Sequence, residues 1–399
     1  MPSRLRDIGG AIAATLVLET TISLIWACVP VLAPAISTER GWNIGILAFY
    51  GPIVSVAALA VSFEVPRLLD RLGAMGLMLL CAAVSIMGLL CLLSSNVAVA
   101  CAAAIAIGFA TGARNPASSQ ILGARTPPRT IGLVMSIKQM GVPFGGVLAG
   151  SVVPILIIQS GVRGAIVELA LAGAACALAV LPTLRWLNGA AVHPSGPYRP
   201  LEPLKTVLAL PGMPRFLCAA LSFTAMQICL RSFFTAYLVH LGFTLSIAGL
   251  AFGCSQAAGI VGQVGWAVLS DRFLPAPSVM MLVGLCMSAG ALLTAAIEPG
   301  WPLAAIIAIA MLYGVSAAGY VPVVLAHMAR QAPPARVGAF TSAANLFLLG
   351  GFLAGPLLFG GVLSQLGYAP AFVVLAGCTF ATSMLMLNAG RRRTSHEQD

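Results

Sequence analysis

From Ile8 to Leu387 the chain is cut into apolar stretches of about 20 residues or more by short polar breaks, a pattern that matches the thickness of a bilayer core. Twelve such stretches can be placed: Ile8 to Ile36, Gly45 to Leu69, Gly73 to Leu93, Val97 to Leu122, Ile131 to Ile158 and Gly164 to Leu187, then Phe216 to Leu238, Leu245 to Leu269, Ser278 to Ile297, Trp301 to Met328, Val337 to Leu363 and Ala369 to Leu387. No water is available inside a bilayer to satisfy free backbone groups, so each stretch is expected to be helical, which makes the fold an all-α membrane protein. Composition agrees: 8% of the 399 residues are charged and 59% are hydrophobic, where a soluble chain carries about 25% charged residues. A soluble enzyme, a nucleic-acid binder and a disulfide scaffold are thereby excluded.

The net charge of +10 comes from basic residues scattered singly between apolar stretches, a pattern that orients a membrane protein. With twelve crossings, sixteen of the 21 Lys and Arg fall on the side of the termini, and only Arg40 and Arg163 on the other, so both termini are expected in the cytoplasm. The one long break, residues 188–214, is rich in proline and reads as a cytoplasmic linker between an N-terminal six-helix bundle, residues 1–187, and a C-terminal one, residues 215–399, with a short cytoplasmic tail. Ala33-Pro34-Ala35 looks like a leader cleavage site, but the apolar run is too long and carries Glu19, so a retained helix is expected. The ten cysteines lie within or beside apolar stretches with no CxxC pair and read as small buried side chains.

The two halves repeat weakly. Asp70-Arg71 follows the second stretch and Asp271-Arg272 the eighth, an offset of 201; Pro127-Pro128-Arg129-Thr130-Ile131-Gly132 and Pro333-Pro334-Ala335-Arg336-Val337-Gly338 open the fifth and eleventh, an offset of 206. Two unrelated motifs at nearly equal offsets point to duplication of a six-helix unit, an arrangement that transporters use.

These residues resemble the major facilitator superfamily, over essentially the whole chain. Pro66-Arg67-Leu68-Leu69-Asp70-Arg71-Leu72-Gly73 is similar to the superfamily's Gly-x-x-x-Asp-Arg-x-Gly loop, with proline at the first glycine, and Ala267 stands at that position before Asp271-Arg272. Asn115-Pro116-Ala117-Ser118-Ser119 and Ser136-Ile137-Lys138-Gln139-Met140-Gly141-Val142-Pro143 resemble bacterial members, and the glycines about Gly141 and Gly355 partly resemble the fifth-helix motif of antiporters. The resemblance implies two pseudo-symmetric six-helix bundles, alternating access, and a cavity lined by spans one, four, seven and ten.

An ionisable side chain at the bilayer centre costs about 2.5–3.5 kcal/mol on insertion scales, so each deep one is a functional candidate. Glu19, Arg114, Lys138 and Arg231 are the deep set, whereas Glu64 and Glu168 lie near span ends. At 1.5 Å per residue, Arg114 and Lys138 sit about 12 and 10 Å from the cytoplasmic ends of their spans and Glu19 about 16 Å, one layer, while Arg231 sits about 22 Å in. Polar stripes at helical spacing join Thr15, Glu19 and Trp26; Thr111, Arg114, Asn115 and Ser118; Thr224, Gln227, Arg231 and Thr235; and Tyr313, Ser316, Tyr320 and His327.

The functional expectation is secondary transport of a small organic anion such as a carboxylate, with proton symport. Arg114, Lys138, Arg231, Asn115, Gln139, Gln227, Tyr313, Tyr320 and Asn345 are candidate solute ligands, Glu19 the candidate proton site, and Asp70, Arg71, Asp271 and Arg272 candidate gate residues. Bland roles stand beside these: Arg114 with Glu19 as a structural ion pair, Lys138 bonded to backbone carbonyls, Arg231 snorkelling, the amides as interhelical bonds and the tyrosines as packing. Proton-driven export of drugs or metabolites is the alternative, with Glu19 as proton carrier; an intramembrane enzyme or a nontransporting receptor is more remote. His193 and His240 fall in expected loops, His396 in the tail and His327 at a span end, with no HExxH or GxSxG, so no catalytic site, cofactor or metal is expected, nor any nucleic-acid partner. The chain is expected to act as a monomer in the inner membrane.

Overall fold

A computed structural model describes residues 2–40, 50–188 and 201–386. The start of the second expected span, most of the proline-rich linker, His193, His396 and the basic tail lie outside the described residues. The helices, in chain order, are α1 (Pro2–Arg40), α2 (Tyr50–Cys91), α3 (Val97–Gly123), α4 (Ile131–Gln139), α5 (Gly141–Val180), α6 (Leu184–Asn188), α7 (Glu202–Ala209), α8 (Met213–His240), α9 (Leu245–Arg272), α10 (Ala276–Ala295), α11 (Leu303–Gln331), α12 (Val337–Leu366) and α13 (Tyr368–Met384). The described residues contain no strand.

Nine helical runs among the described residues are long and apolar enough to cross a membrane, and Tyr368–Met384 is a shorter apolar one. Two of the nine, Tyr50–Cys91 with 42 residues and Ile131–Asn188 with 58, far exceed the roughly 20 residues of one crossing. Each is interrupted by a glycine in the left-handed region, Gly73 (φ 72°) and Gly161 (φ 71°). The two breaks divide these runs in the same places as the sequence pattern, between the second and third spans and between the fifth and sixth.

Gly73 is the glycine of the Asp-Arg-x-Gly motif, and its backbone conformation is one that only glycine adopts without strain. The groups freed at the break are taken up by Asn188: its Oδ1 accepts from Met75 N at 2.8 Å and its Nδ2 donates to Leu72 O at 3.1 Å. The interruption between α4 and α5 at Met140 has another cause. Pro143 has no N–H to give to the Gln139 carbonyl, so the helical ladder is broken one turn after Lys138.

The described residues form two compact units. The first holds those up to Leu204 together with Met328–Leu346; the second holds Lys205–His327 and those from Phe347 on. The segment Met328–Leu346, which belongs to the second repeat by sequence, thus packs with the first unit. Large apolar side chains stand exposed in mid-helix, Val261 and Leu357 each at 70%, as suits contact with lipid.

Three details depart from the sequence reading. Cys28, Cys81 and Cys229 are buried, but Cys218 and Cys378 lie exposed on outward helix faces, where a thiol is apolar enough for lipid. His240 closes α8 rather than lying in a loop, its ring 5.2 Å from that of Tyr368. Of the span-five glycines, Gly141 and Gly145 meet α1, whereas Gly146 and Gly150 face open space.

Candidate functional site

In the first unit, α1 presents Thr15, Glu19 and Ser23 at four-residue spacing, α3 presents Arg114 and Ser118, and α4 ends one residue beyond Lys138. These side chains meet. Arg114 Nη1 donates to Glu19 Oε2 at 2.9 Å and also to Ser23 Oγ. Ser118 Oγ donates to Glu19 Oε1 at 2.7 Å, and Lys138 Nζ stands 4.0 Å from that same oxygen. Lys138 further donates to Ser119 Oγ at 3.1 Å and to the Asn115 carbonyl at 3.3 Å. Glu19 and Lys138 are fully buried and Arg114 is 7% exposed.

Gly141 makes this closeness possible. A Cβ there would lie 2.8 Å from Glu19 Cβ and 3.1 Å from Thr20 N, so any side chain would push α5 away from α1 at the level of the carboxylate. The cluster carries two cations against one carboxylate. Three buried polar atoms of Arg114 and of the sequence neighbours of the two cations have no hydrogen-bond partner: Arg114 Nε, Asn115 Oδ1 and Gln139 Oε1. Buried polar atoms are nearly always paired, so these three are exceptions.

In the second unit, Arg231 of α8 donates to Gln256 Oε1 of α9 at 3.4 Å, and Gln256 Nε2 donates to Ser255 Oγ at 3.3 Å. They line a small cleft together with Gln227 and with Gly259, Gly314, Ala317 and Ala318. Tyr320 O–H is shared between Thr224 Oγ1 at 2.8 Å and Gln227 Oε1 at 3.1 Å, which holds Gln227 at the cleft. Tyr313 is fully buried and donates to the Met226 carbonyl at 3.2 Å, a bond that ties α11 to α8.

Asn345 lies elsewhere, among the first-unit residues. Its Nδ2 donates to Ser62 Oγ at 3.2 Å and to the Gly112 carbonyl at 3.0 Å, while Ser342 Oγ donates to the Ser62 carbonyl at 2.6 Å. Nearby, Gln120 Nε2 donates to the Pro334 carbonyl at 2.9 Å and its Oε1 accepts from Gly338 N. Asp70 and Arg71 are exposed just before the Gly73 break, and Asp271 and Arg272 end α9. Among the described residues no group of three His, Cys, Asp or Glu could hold a metal ion.

As site residues the sequence does not single out Ser23, Ser255 or, beyond its place in the Asn115–Ser119 motif, Ser119. Ser23 was visible as the residue one turn beyond Glu19 on the same helix face. Ser119 and Ser255 sit beside residues already singled out, but which neighbour they bond depends on the rotation of a second helix.

The family profile described as "Major Facilitator Superfamily" matches residues 15–311 and 216–398. Solved structures of similar shape include the one described as the human organic anion transporter MFSD10 (TETRAN), at 16% identity over 97% of this chain and 100% of that one, with a TM-score of 0.70. The Escherichia coli fucose:proton symporter FucP is similar at 12% identity over 94% and 97%, TM-score 0.70, and a bacterial homologue of the iron transporter ferroportin in an outward-facing state at 14% over 95% and 97%, TM-score 0.74. At these identities the likeness is one of fold. No curated protein matches the chain by sequence.

Proposed function

Because the chain belongs to the major facilitator superfamily, and is therefore a multi-pass membrane transporter, we propose that it moves a small organic anion, a carboxylate first of all, by alternating access with proton symport. The observation that carries this reading is the sharing of one buried carboxylate, Glu19, by two buried cations, Arg114 and Lys138. With Glu19 ionised the cluster has one surplus positive charge. An anion that pairs with Arg114 competes with Glu19 for the same guanidinium, and the displaced carboxylate is then buried without its partner. A proton on Glu19 removes that penalty. Anion binding therefore favours protonation, and by thermodynamic reciprocity protonation favours anion binding, which is the linkage that symport needs.

Asn115 and Gln139, next in sequence to the two cations, carry unpaired buried acceptors suited to hydroxyl or amino groups of the solute. Arg231, with Gln227 and Tyr320, is a second place of positive charge in the other unit. Tyr313, fixed by its bond to α8, supports that wall, and Asn345 joins α12 to α2 and α3 through Ser62 and Gly112, while Asp70-Arg71 and Asp271-Arg272 serve as gate pairs. The excess of basic residues on one side supports an inner-membrane orientation with both termini, the linker of residues 188–214 and the tail in the cytoplasm. Two solved relatives lend weight, one described as an organic anion transporter and one as a proton symporter.

The test uses proteoliposomes loaded with a pH dye and given inward gradients of lactate, succinate or acetate. Internal acidification that follows one of these gradients, and that Arg114→Ala abolishes, is the expected result. Carboxylate flux without proton movement, or outward flux of lipophilic cations driven by a proton gradient, contradicts it.

A further inference from the structure

Prolines interrupt the hydrogen-bond ladders of α2 and α3. Pro66 has no N–H for the Ser62 carbonyl one turn back, and Pro116 none for the Gly112 carbonyl, so each helix carries a backbone acceptor that its own turn cannot pair. Pro66 stands where the superfamily's loop signature has glycine, whereas the second repeat keeps an N–H at that position, on Ala267. Both freed carbonyls are used, and by one helix. Ser342 Oγ of α12 donates to the Ser62 carbonyl at 2.6 Å, and Asn345 Nδ2 donates to the Gly112 carbonyl at 3.0 Å. Asn345 Nδ2 also reaches Ser62 Oγ at 3.2 Å. Ser62, Ser342 and Asn345 are all buried, at 3% exposure or less.

Gly338, Ser342 and Asn345 lie at four- and three-residue spacing on one face of α12, and Gly112, Pro116 and Gln120 at four-residue spacing on one face of α3. The two faces fit closely. Gln120 Nε2 donates to the Pro334 carbonyl at 2.9 Å and its Oε1 accepts from Gly338 N, and a Cβ on Gly338 would lie 2.4 Å from Leu69 Cδ1. These bonds join neutral groups, each weak enough to break and form repeatedly. Residues 328–346 belong to the second repeat by sequence, and in carriers built of two repeats the rocking of one against the other must break the bonds that join them. When α12 withdraws, the Ser62 and Gly112 carbonyls have no N–H of their own helix to return to, and water must pair them. They are therefore vacant acceptors each time α12 comes back.

We infer that Ser342 and Asn345 are the donors of a releasable latch on the face that the proposed orientation puts in the cytoplasm, and that Pro66 and Pro116 keep its two acceptor carbonyls available. The inference rests on the reading of the protein as an alternating-access carrier and adds to it the bonds that hold one of its gates shut. A residue with an N–H at position 66 or 116 would reclaim its carbonyl for the helix, and the α12 donor would have to compete for it. The latch is thus set by backbone chemistry and is distinct from the charged pairs Asp70-Arg71 and Asp271-Arg272.

Hydrogen–deuterium exchange of the purified full-length protein in detergent, read by mass spectrometry on peptides covering residues 334–346, measures how often α12 leaves α2 and α3, because the Gly338 N–H exchanges when its bond to Gln120 opens. Ser342→Ala is expected to speed exchange there about threefold, the factor set by one interhelical hydrogen bond of average strength, and Asn345→Ala, which loses two bonds, by more. Ser342→Thr keeps the hydroxyl and is expected to exchange at the wild-type rate. Pro66→Ala is expected to speed exchange as well, and Ser342→Ala added to it to bring little more. Pro116→Ala stands in the same relation to Asn345→Ala and serves should Pro66→Ala fail to fold. Unchanged exchange in all variants overturns the inference. So does full additivity of Pro66→Ala and Ser342→Ala, which would show that the proline does not supply the acceptor, and so does a rise spread evenly over the chain, which would mark a loss of fold. Wild-type proteoliposomes given the carboxylate gradients above separate this failure from that of the parent reading. Acidification with unchanged exchange sinks the latch alone; a local, non-additive rise in exchange without acidification by any of the acids upholds the latch and sinks the anion symport; failure of both sinks both.

Discussion

Glu19 Oε2 lies 2.9 Å from Arg114 Nη1, a buried ion pair between α1 and α3 whose partners are 95 residues apart in the chain. The other oxygen, Oε1, is occupied by Ser118 and faces Lys138. Each charge therefore depends on the others, and removing one is more harmful than removing a matched pair.

Arg114→Leu leaves Glu19 with Lys138 at 4.0 Å as its remaining cation, and breaking a buried pair in this way costs about 3–5 kcal/mol. The double variant Glu19→Gln/Arg114→Leu removes both charges and is expected to be more stable than Arg114→Leu alone. Denaturation in detergent micelles, followed by circular dichroism, measures the difference. A double variant less stable than Arg114→Leu contradicts the coupling.

Gly141→Ala introduces a Cβ 2.8 Å from that of Glu19, and both atoms sit close to backbone, so the helices must part. Overpacking of this kind costs about 1–3 kcal/mol. Gly146→Ala and Gly150→Ala face open space and are expected to leave the midpoint of thermal unfolding unchanged. Equal effects at all three positions would show that α1 and α5 do not approach at Gly141.

Asn345 is expected to act through Ser62 and Gly112, not through solute. A double-mutant cycle of Asn345→Ala with Ser62→Ala should give a coupling of about 0.6 kcal/mol, the average for hydrogen bonds between membrane helices. The apparent solute affinity of Asn345→Ala, measured by thermal shift, should equal that of the wild type. A variant of full stability with lost affinity would make Asn345 a ligand instead.

Much of this arrangement is legible in the sequence because helices in a bilayer obey simple rules. Constant rise per residue puts Glu19, Arg114 and Lys138 at similar depth from counting alone. The Asp-Arg-x-Gly motif and Gly161 divide the long apolar runs, since glycine adopts the left-handed backbone that a reversal needs. Counting along one helix says nothing of its rotation against another, so the division of the Glu19 oxygens between Arg114 and Ser118, and the use of Asn188 to seal the Gly73 break by a bond to Met75, 113 residues away, come from packing. The side chains at the Arg231 cleft were visible singly, but the cleft exists because Gly259 and Gly314 let α9 and α11 close on each other, a relation between two helices that neither stretch displays alone.

The central claim is that Glu19 couples the proton to the anion, and Glu19→Gln in proteoliposomes tests it most directly. Glutamine has the shape of the protonated acid but cannot release a proton. With the carboxylate that drives acidification in the wild type, the variant is expected to retain exchange of labelled for unlabelled solute at zero pH gradient and to lose accumulation driven by an inward proton gradient. Accumulation at the wild-type level in Glu19→Gln would place proton coupling elsewhere and contradict the account.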